Sequence, residues 1–203
     1  MDALLSRQLV RRSAVLVLGS LLGLLPGQAQ ALSLTLSSSQ IGEAIRYGER
    51  AQALPFALFA REWRAEGMQK PGQPLTGSAW LQSPFARVAH AGWAAAHRAL
   101  SLTPRDLERQ LMPVRDHLAF AVTLALPPEH PPAYRVSLHQ AGEIFNPSHV
   151  ETHQDPPDRG TAWVYIYCLF PAARVDLRGP VVLVVTDAHG DLLPFVFDLS
   201  RIR

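Results

Sequence analysis

His149, Glu151 and His153 are the residues whose types and spacing most readily suggest chemistry. In an extended segment, side chains two apart point the same way, so two imidazoles and a carboxylate would share one side. Such a set can bind zinc, copper or iron with water in the open positions, and a metal held there can activate water as a metallohydrolase does. His139, Glu143 and Asp155 would complete the set if the strands pair suitably. The same stretch also reads as a plain connection. Asn146 to Gly160 holds three prolines, Asp155, Asp158 and Arg159, and an exposed polar loop accounts for its histidines.

Trp163, Tyr165 and Tyr167 form the second candidate. Alternation places all three on one face of a strand, where they would make an aromatic platform for a ligand or partner. The competing expectation is that N-terminal helices cover that face, because those helices must bury apolar stripes of their own. His90, Trp93 and His97 recur at spacings of three and four, and this helical stripe is expected to cover the sheet or face a partial cleft rather than bind a ligand. Catalytic signatures are missing. No Gly-x-Ser-x-Gly appears, and no glycine-rich phosphate loop follows a strand. Glu62 with Glu66, and Asp106 with Glu108, read as solvated helix positions. Cys168 stands alone within an apolar run, which predicts a buried, inert thiol and no intrachain disulfide.

The elements that must position these residues divide into two halves. In the first, Ser39 can cap a helix from Gln40 to about Arg50, with Ile41, Ala44, Ile45 and Gly48 on one face. A second helical stretch is predicted from Pro55 to Ala65, followed by a loop over Gly67 to Ser78. Ser83-Pro84 starts a helix to about Leu100, whose alanines and Gly92 allow a close neighbour. Thr103-Pro104 repeats that start signal, with Asp106 at the third helical position and Leu107 and Leu111 as the apolar side. The second half changes to period two. Strands are predicted at Leu118 to Leu126, around Tyr134 to Leu138, at Thr161 to Phe170, and as a closing hairpin of Pro180 to Thr186 with Leu193 to Leu199. Together these give an α+β protein, N-terminal helices packed on a C-terminal antiparallel β-sandwich. An immunoglobulin-like architecture is compatible with the strand pattern, although the cysteine and tryptophan landmarks of true immunoglobulin domains are absent.

Residues 1–31 read as an export signal. Arg7, Arg11 and Arg12 precede an apolar run from Ala14 to Leu25, then Pro26-Gly27, then Ala29-Gln30-Ala31 as a cleavage site. The 12-residue run is short of the roughly 20 residues a spanning helix needs. Arg11-Arg12 also admits a twin-arginine signal. A helical region at 32–116 and a sandwich region at 117–203 would then form one compact unit, periplasmic or secreted, with no integral membrane segment after cleavage. That part carries sixteen basic and sixteen acidic residues, which argues against general nucleic-acid binding. The leading expectation is a non-enzymatic module that binds a protein or small-molecule ligand and has no cofactor. The alternative is a zinc- or copper-binding protein, or a metal-dependent hydrolase, using His149, Glu151 and His153.

Overall fold

The computed structural model describes residues 31–68, 75–127, 133–157 and 160–203. The export-signal reading of residues 1–31 and the proline-rich stretch around Pro71 to Pro74 lie outside them, apart from Ala31.

Apolar side chains at every second position build the centre. β3 (His117–Leu126) and β7 (Ala162–Pro171) pair antiparallel over ten residues, from His117 opposite Pro171 to Leu126 opposite Ala162. Their inward residues, Phe120, Val122 and Leu124 with Val164, Ile166, Cys168 and Phe170, are buried. β1 (Arg64–Glu66) and β2 (Thr76–Leu81) extend this sheet beyond β3, and β6 (His149–Gln154) extends it beyond β7. The result is a five-stranded sheet in the order β1-β2-β3-β7-β6. A second sheet has the order β5-β4-β8-β9, from β4 (Arg135–Gln140), β5 (Glu143–Phe145), β8 (Pro180–Thr186) and β9 (Leu192–Asp198). The sheets face each other across Phe120 and Phe197, whose rings lie 5.2 Å apart, so the architecture is the expected antiparallel sandwich.

The helices make a third layer on the outer side of the five-stranded sheet. α1 (Ser38–Arg50) begins at Ser37, not Ser39. The Ser37 hydroxyl accepts from the Gln40 amide while the Gln40 side chain returns to the Ser37 amide, a capping box that requires the cap three residues before glutamine. α3 (Pro84–His97) starts as expected on Ser83, and α4 (Pro104–Leu111) on Thr103 with Asp106 closing its box. α1 and α3 cross at a pair of glycines. A Cβ at Gly48 would stand 2.0 Å from the Ala89 carbonyl oxygen, and one at Gly92 would stand 2.7 Å from that of Ile45. Only glycine permits backbones this close.

Two readings of the first half need correction. The predicted helix from Pro55 to Ala65 is shorter: α2 (Phe56–Phe59) tightens into a 3₁₀ turn over Ala60–Trp63 and then becomes β1. The turn sinks Trp63 into the core, where its indole N–H donates to the Arg203 carbonyl at 3.3 Å. The predicted loop from Gly67 to Ser78 ends early, because Thr76 to Leu81 pairs residue for residue with β3. Two strands of the sandwich therefore come from the half that also supplies the helices. Arg203 fastens this seam: its guanidinium lies over the Tyr47 and Phe85 rings and reaches Glu43 and Glu62 at 3.4 Å each.

Candidate functional site: the outer face of the five-stranded sheet

Register places the two candidate sets on one face. Glu151 stands opposite Tyr167 and His153 opposite Tyr165, and directly opposed residues share a face. Continuing across the sheet, Tyr167 meets Ala121 and then Trp80, Tyr165 meets Thr123 and then Ser78, and Trp163 meets Ala125 and then Thr76. The outer face is thus a set of rows with aromatic residues on β7, small ones on β3, and histidine with carboxylate on β6.

The helical layer covers one end of this face and leaves the other open. Over the covered end, the His90 ring meets the Trp80 ring edge-on at 5.3 Å and stacks on Trp93 at 5.8 Å. Phe56 joins them, its ring 5.2 Å from Trp80 and 5.3 Å from His90. Of the stripe His90, Trp93 and His97, His90 reaches the sheet at Trp80, whereas His97 is exposed and meets the Trp93 ring at 4.3 Å. Burial, and then the neighbouring Arg87 charge, lower the His90 pKa below its ordinary value. Arg87, one turn earlier on α3, is held by the Gln110 carbonyl at 2.6 Å and the Gln82 side chain at 2.5 Å, beside the Tyr167 hydroxyl. Burial is the main force lowering the Arg87 pKa, and Tyr167 opposes it. Tyr167 is raised chiefly by burial.

At the open end, Trp163 and Tyr165 remain 41% and 40% exposed. A shallow groove of about 320 Å³ runs beside Trp163, lined by Arg64, Glu66, Thr76, Ser78, Thr123 and Ala125 among others. Arg64 and Glu66 pair at 2.9 Å on its rim. On the opposite flank, the His153 ring stacks over Tyr165 at 6.3 Å with an interplanar angle of 24°. Asp155 contacts His153 Nε2 at 3.1 Å through Oδ1. Desolvation, then the hydrogen bond and charge of Asp155, raise the Tyr165 pKa.

His149, Glu151 and His153 share the exposed side of β6 that their spacing implies. They are separated by about 6.6 Å per step along the strand, since residues rise about 3.3 Å each. Among the described residues, no three His, Cys, Asp or Glu side chains come together in an arrangement that would hold a metal ion. His139 lies on the second sheet, where its Nε2 contacts the Ser137 hydroxyl at 2.8 Å. Glu143 reaches Arg174 at 3.3 Å. Cys168 is fully buried, and desolvation pushes its thiol pKa up to about 12. The participation of Arg87 and of the groove residues on β1 and β2 was missed. Arg87 lies one turn before His90 on the same stripe, which was the available signal.

Protein-family models, curated proteins and solved structures were all compared with the chain, and none matches it. Among the described residues, no helix is long and apolar enough to cross a membrane.

Proposed function

We propose that the chain is an exported, non-enzymatic binding module that holds its ligand on the open end of the outer sheet face. The observation that carries this reading is the pair Trp163 and Tyr165. They sit two residues apart on one face of an interior strand and stay about 40% exposed while the same face is roofed over nearby. Aromatic rings supply a large contact area at small entropic cost, because they have few rotatable bonds. The rim adds hydrogen-bonding groups: the Arg64–Glu66 pair and Thr123 on one side, Asp155 and His153 on the other. This chemistry suits a small molecule or protein segment that presents a flat apolar surface edged by hydroxyl or amide groups. Export rests on residues 1–31, with their basic start, apolar run and small-residue cleavage site.

A second reading is zinc or copper binding on β6, where His149 with Glu151 and Glu151 with His153 are neighbours on one face and water or a ligand would fill the remaining positions. Elemental analysis of protein purified without a histidine tag, beside a His149→Ala/His153→Ala variant, separates the two. Stoichiometric metal lost in the variant favours the metal site.

The binding reading is tested by titrating the purified protein calorimetrically with oligosaccharides and with peptides. A ligand whose affinity falls at least ~10-fold in Trp163→Ala and in Tyr165→Ala supports it. Binding unchanged in both variants refutes it.

A further inference from the structure

β6 is an edge strand with no described strand on its far side. Natural edges are blunted by lysine, proline, bulges or shortness. Within its six residues, His-Val-Glu-Thr-His-Gln, β6 has none of these and carries a single carboxylate, Glu151; it pairs one to one with β7, and all but Gln154 are exposed. The ladder shows which backbone groups are free. The Asp155 amide donates to the Trp163 carbonyl at 2.9 Å, in the same register as the pair His149 and Leu169. Backbone groups alternate in direction along an antiparallel strand. The odd residues of β6 are therefore turned toward β7, and Val150, Thr152 and Gln154 present their N–H and C=O to the open edge.

We infer that β6 pairs antiparallel with β6 of a second copy about a two-fold axis at Thr152, joining two five-stranded sheets into one. Charge selects this register. With Thr152 opposite itself, Glu151 faces His153 of the second copy and His149 faces Asp155, each pair occurring twice. An imidazole N–H donates to a carboxylate whether the ring is charged or neutral, so all four contacts are favourable. Asp155 contacts His153 through Oδ1, and a carboxylate has about four acceptor sites to share among its partners. The neighbouring registers fail on charge. Centring on Glu151 sets that carboxylate against its own copy and His149 against His153. Centring on His153 sets Glu151 against Asp155. Slipping further fails on the backbone. Centring on Val150 asks for the Ser148 amide, which already donates to the Leu169 carbonyl at 2.8 Å. Centring on Gln154 asks for an N–H from Pro156, which has none. The central register alone satisfies both the backbone and the charges. It also brings the outer faces of the two copies into one surface. The inference stands on the edge itself and needs no ligand.

Sedimentation velocity of the purified protein, from low micromolar to about 0.5 mM, tests the pairing. A reversible dimer is expected. Thr152→Pro removes an N–H that points away from β7, so circular dichroism should stay unchanged while dimer affinity falls at least ~30-fold. Glu151→Lys should weaken the dimer about 10-fold, and the exchange Glu151→Lys/His153→Glu should restore it to within about 3-fold of the parent. The exchange involves exposed side chains, so it reports even if the proline variant fails to fold. A monomer at every concentration overturns the inference. So does a dimer that survives Thr152→Pro in a folded protein, or a charge exchange that restores nothing.

Discussion

Replacing two glycines of α1 by alanine should change stability in opposite directions. Gly42 and Gly48 lie in the same helix, and in an exposed helix interior alanine is favoured over glycine by about 1 kcal/mol. At Gly42 the added Cβ would meet only the Arg46 Nη1 atom, at 3.3 Å, the far end of a flexible side chain. Gly42→Ala should therefore stabilise the protein by about 0.5–1 kcal/mol. At Gly48 the Cβ would meet the Ala89 carbonyl oxygen at 2.0 Å and the Trp93 amide nitrogen at 2.6 Å. Both are backbone atoms of α3, so relief requires the helices to separate by about 1 Å or more. Overpacking of this kind costs about 1–3 kcal/mol and sometimes more. The overlap here is severe, so the upper end applies, and the propensity gain leaves a net loss of about 2–3 kcal/mol. For a chain this size, thermal unfolding followed by circular dichroism should show a Tm lower by roughly 4–12 °C for Gly48→Ala and higher by about 1–4 °C for Gly42→Ala. Equal or raised stability in Gly48→Ala would refute the close crossing of α1 and α3.

Three further outcomes follow from the site. His90 has a lowered pKa in the folded state, so the unfolded chain takes up its proton first as pH falls. Its contribution to stability is full above about pH 6.5 and is lost progressively below it, so His90→Gln should flatten the acid limb of stability against pH measured by denaturant unfolding. Cys168, with its thiol raised to about 12, should resist iodoacetamide in the native protein and react fully in denaturant, read by mass spectrometry. Asp155→Asn removes the charge that helps raise Tyr165, so spectrophotometric titration should place one tyrosine lower than in the parent.

Strands whose one face meets the core were readable as sequence. β3 and β7 alternate because one side of each is buried between the sheets, and β8 with β9 close as a hairpin around the Asp187 to Asp191 turn. The starts at Ser83-Pro84 and Thr103-Pro104 were equally plain, since a cap is a local device. β2 was not readable. Thr-Gly-Ser-Ala-Trp-Leu has weak strand propensity and becomes a strand by pairing with β3, a long-range event. At Gly77 an added Cβ would come 2.4 Å from the Thr123 carbonyl oxygen, so the glycine that suggests a loop serves close packing in the sheet. β6 carries no apolar alternation, because at an edge neither side is fully buried. The common face of β6 and β7 could be named only once their register was known. The sequence left open whether helices cover that face; the structure roofs Tyr167 and leaves Trp163 and Tyr165 open. That boundary depends on where α3 lands, which no local pattern records.

The four tryptophans offer the most direct test of the binding face. Their indole N–H groups sit in distinct places: Trp63 donates to the Arg203 carbonyl, Trp93 to the Leu54 carbonyl, Trp80 is covered by His90 and Phe56, and Trp163 lies at the open end. With nitrogen-15 in tryptophan, each gives its own indole signal during titration with a ligand found by the calorimetric screen. The account predicts that the Trp163 signal moves in proportion to saturation while that of Trp63 stays fixed. Saturation that moves Trp63, Trp80 or Trp93 and leaves Trp163 in place would contradict it.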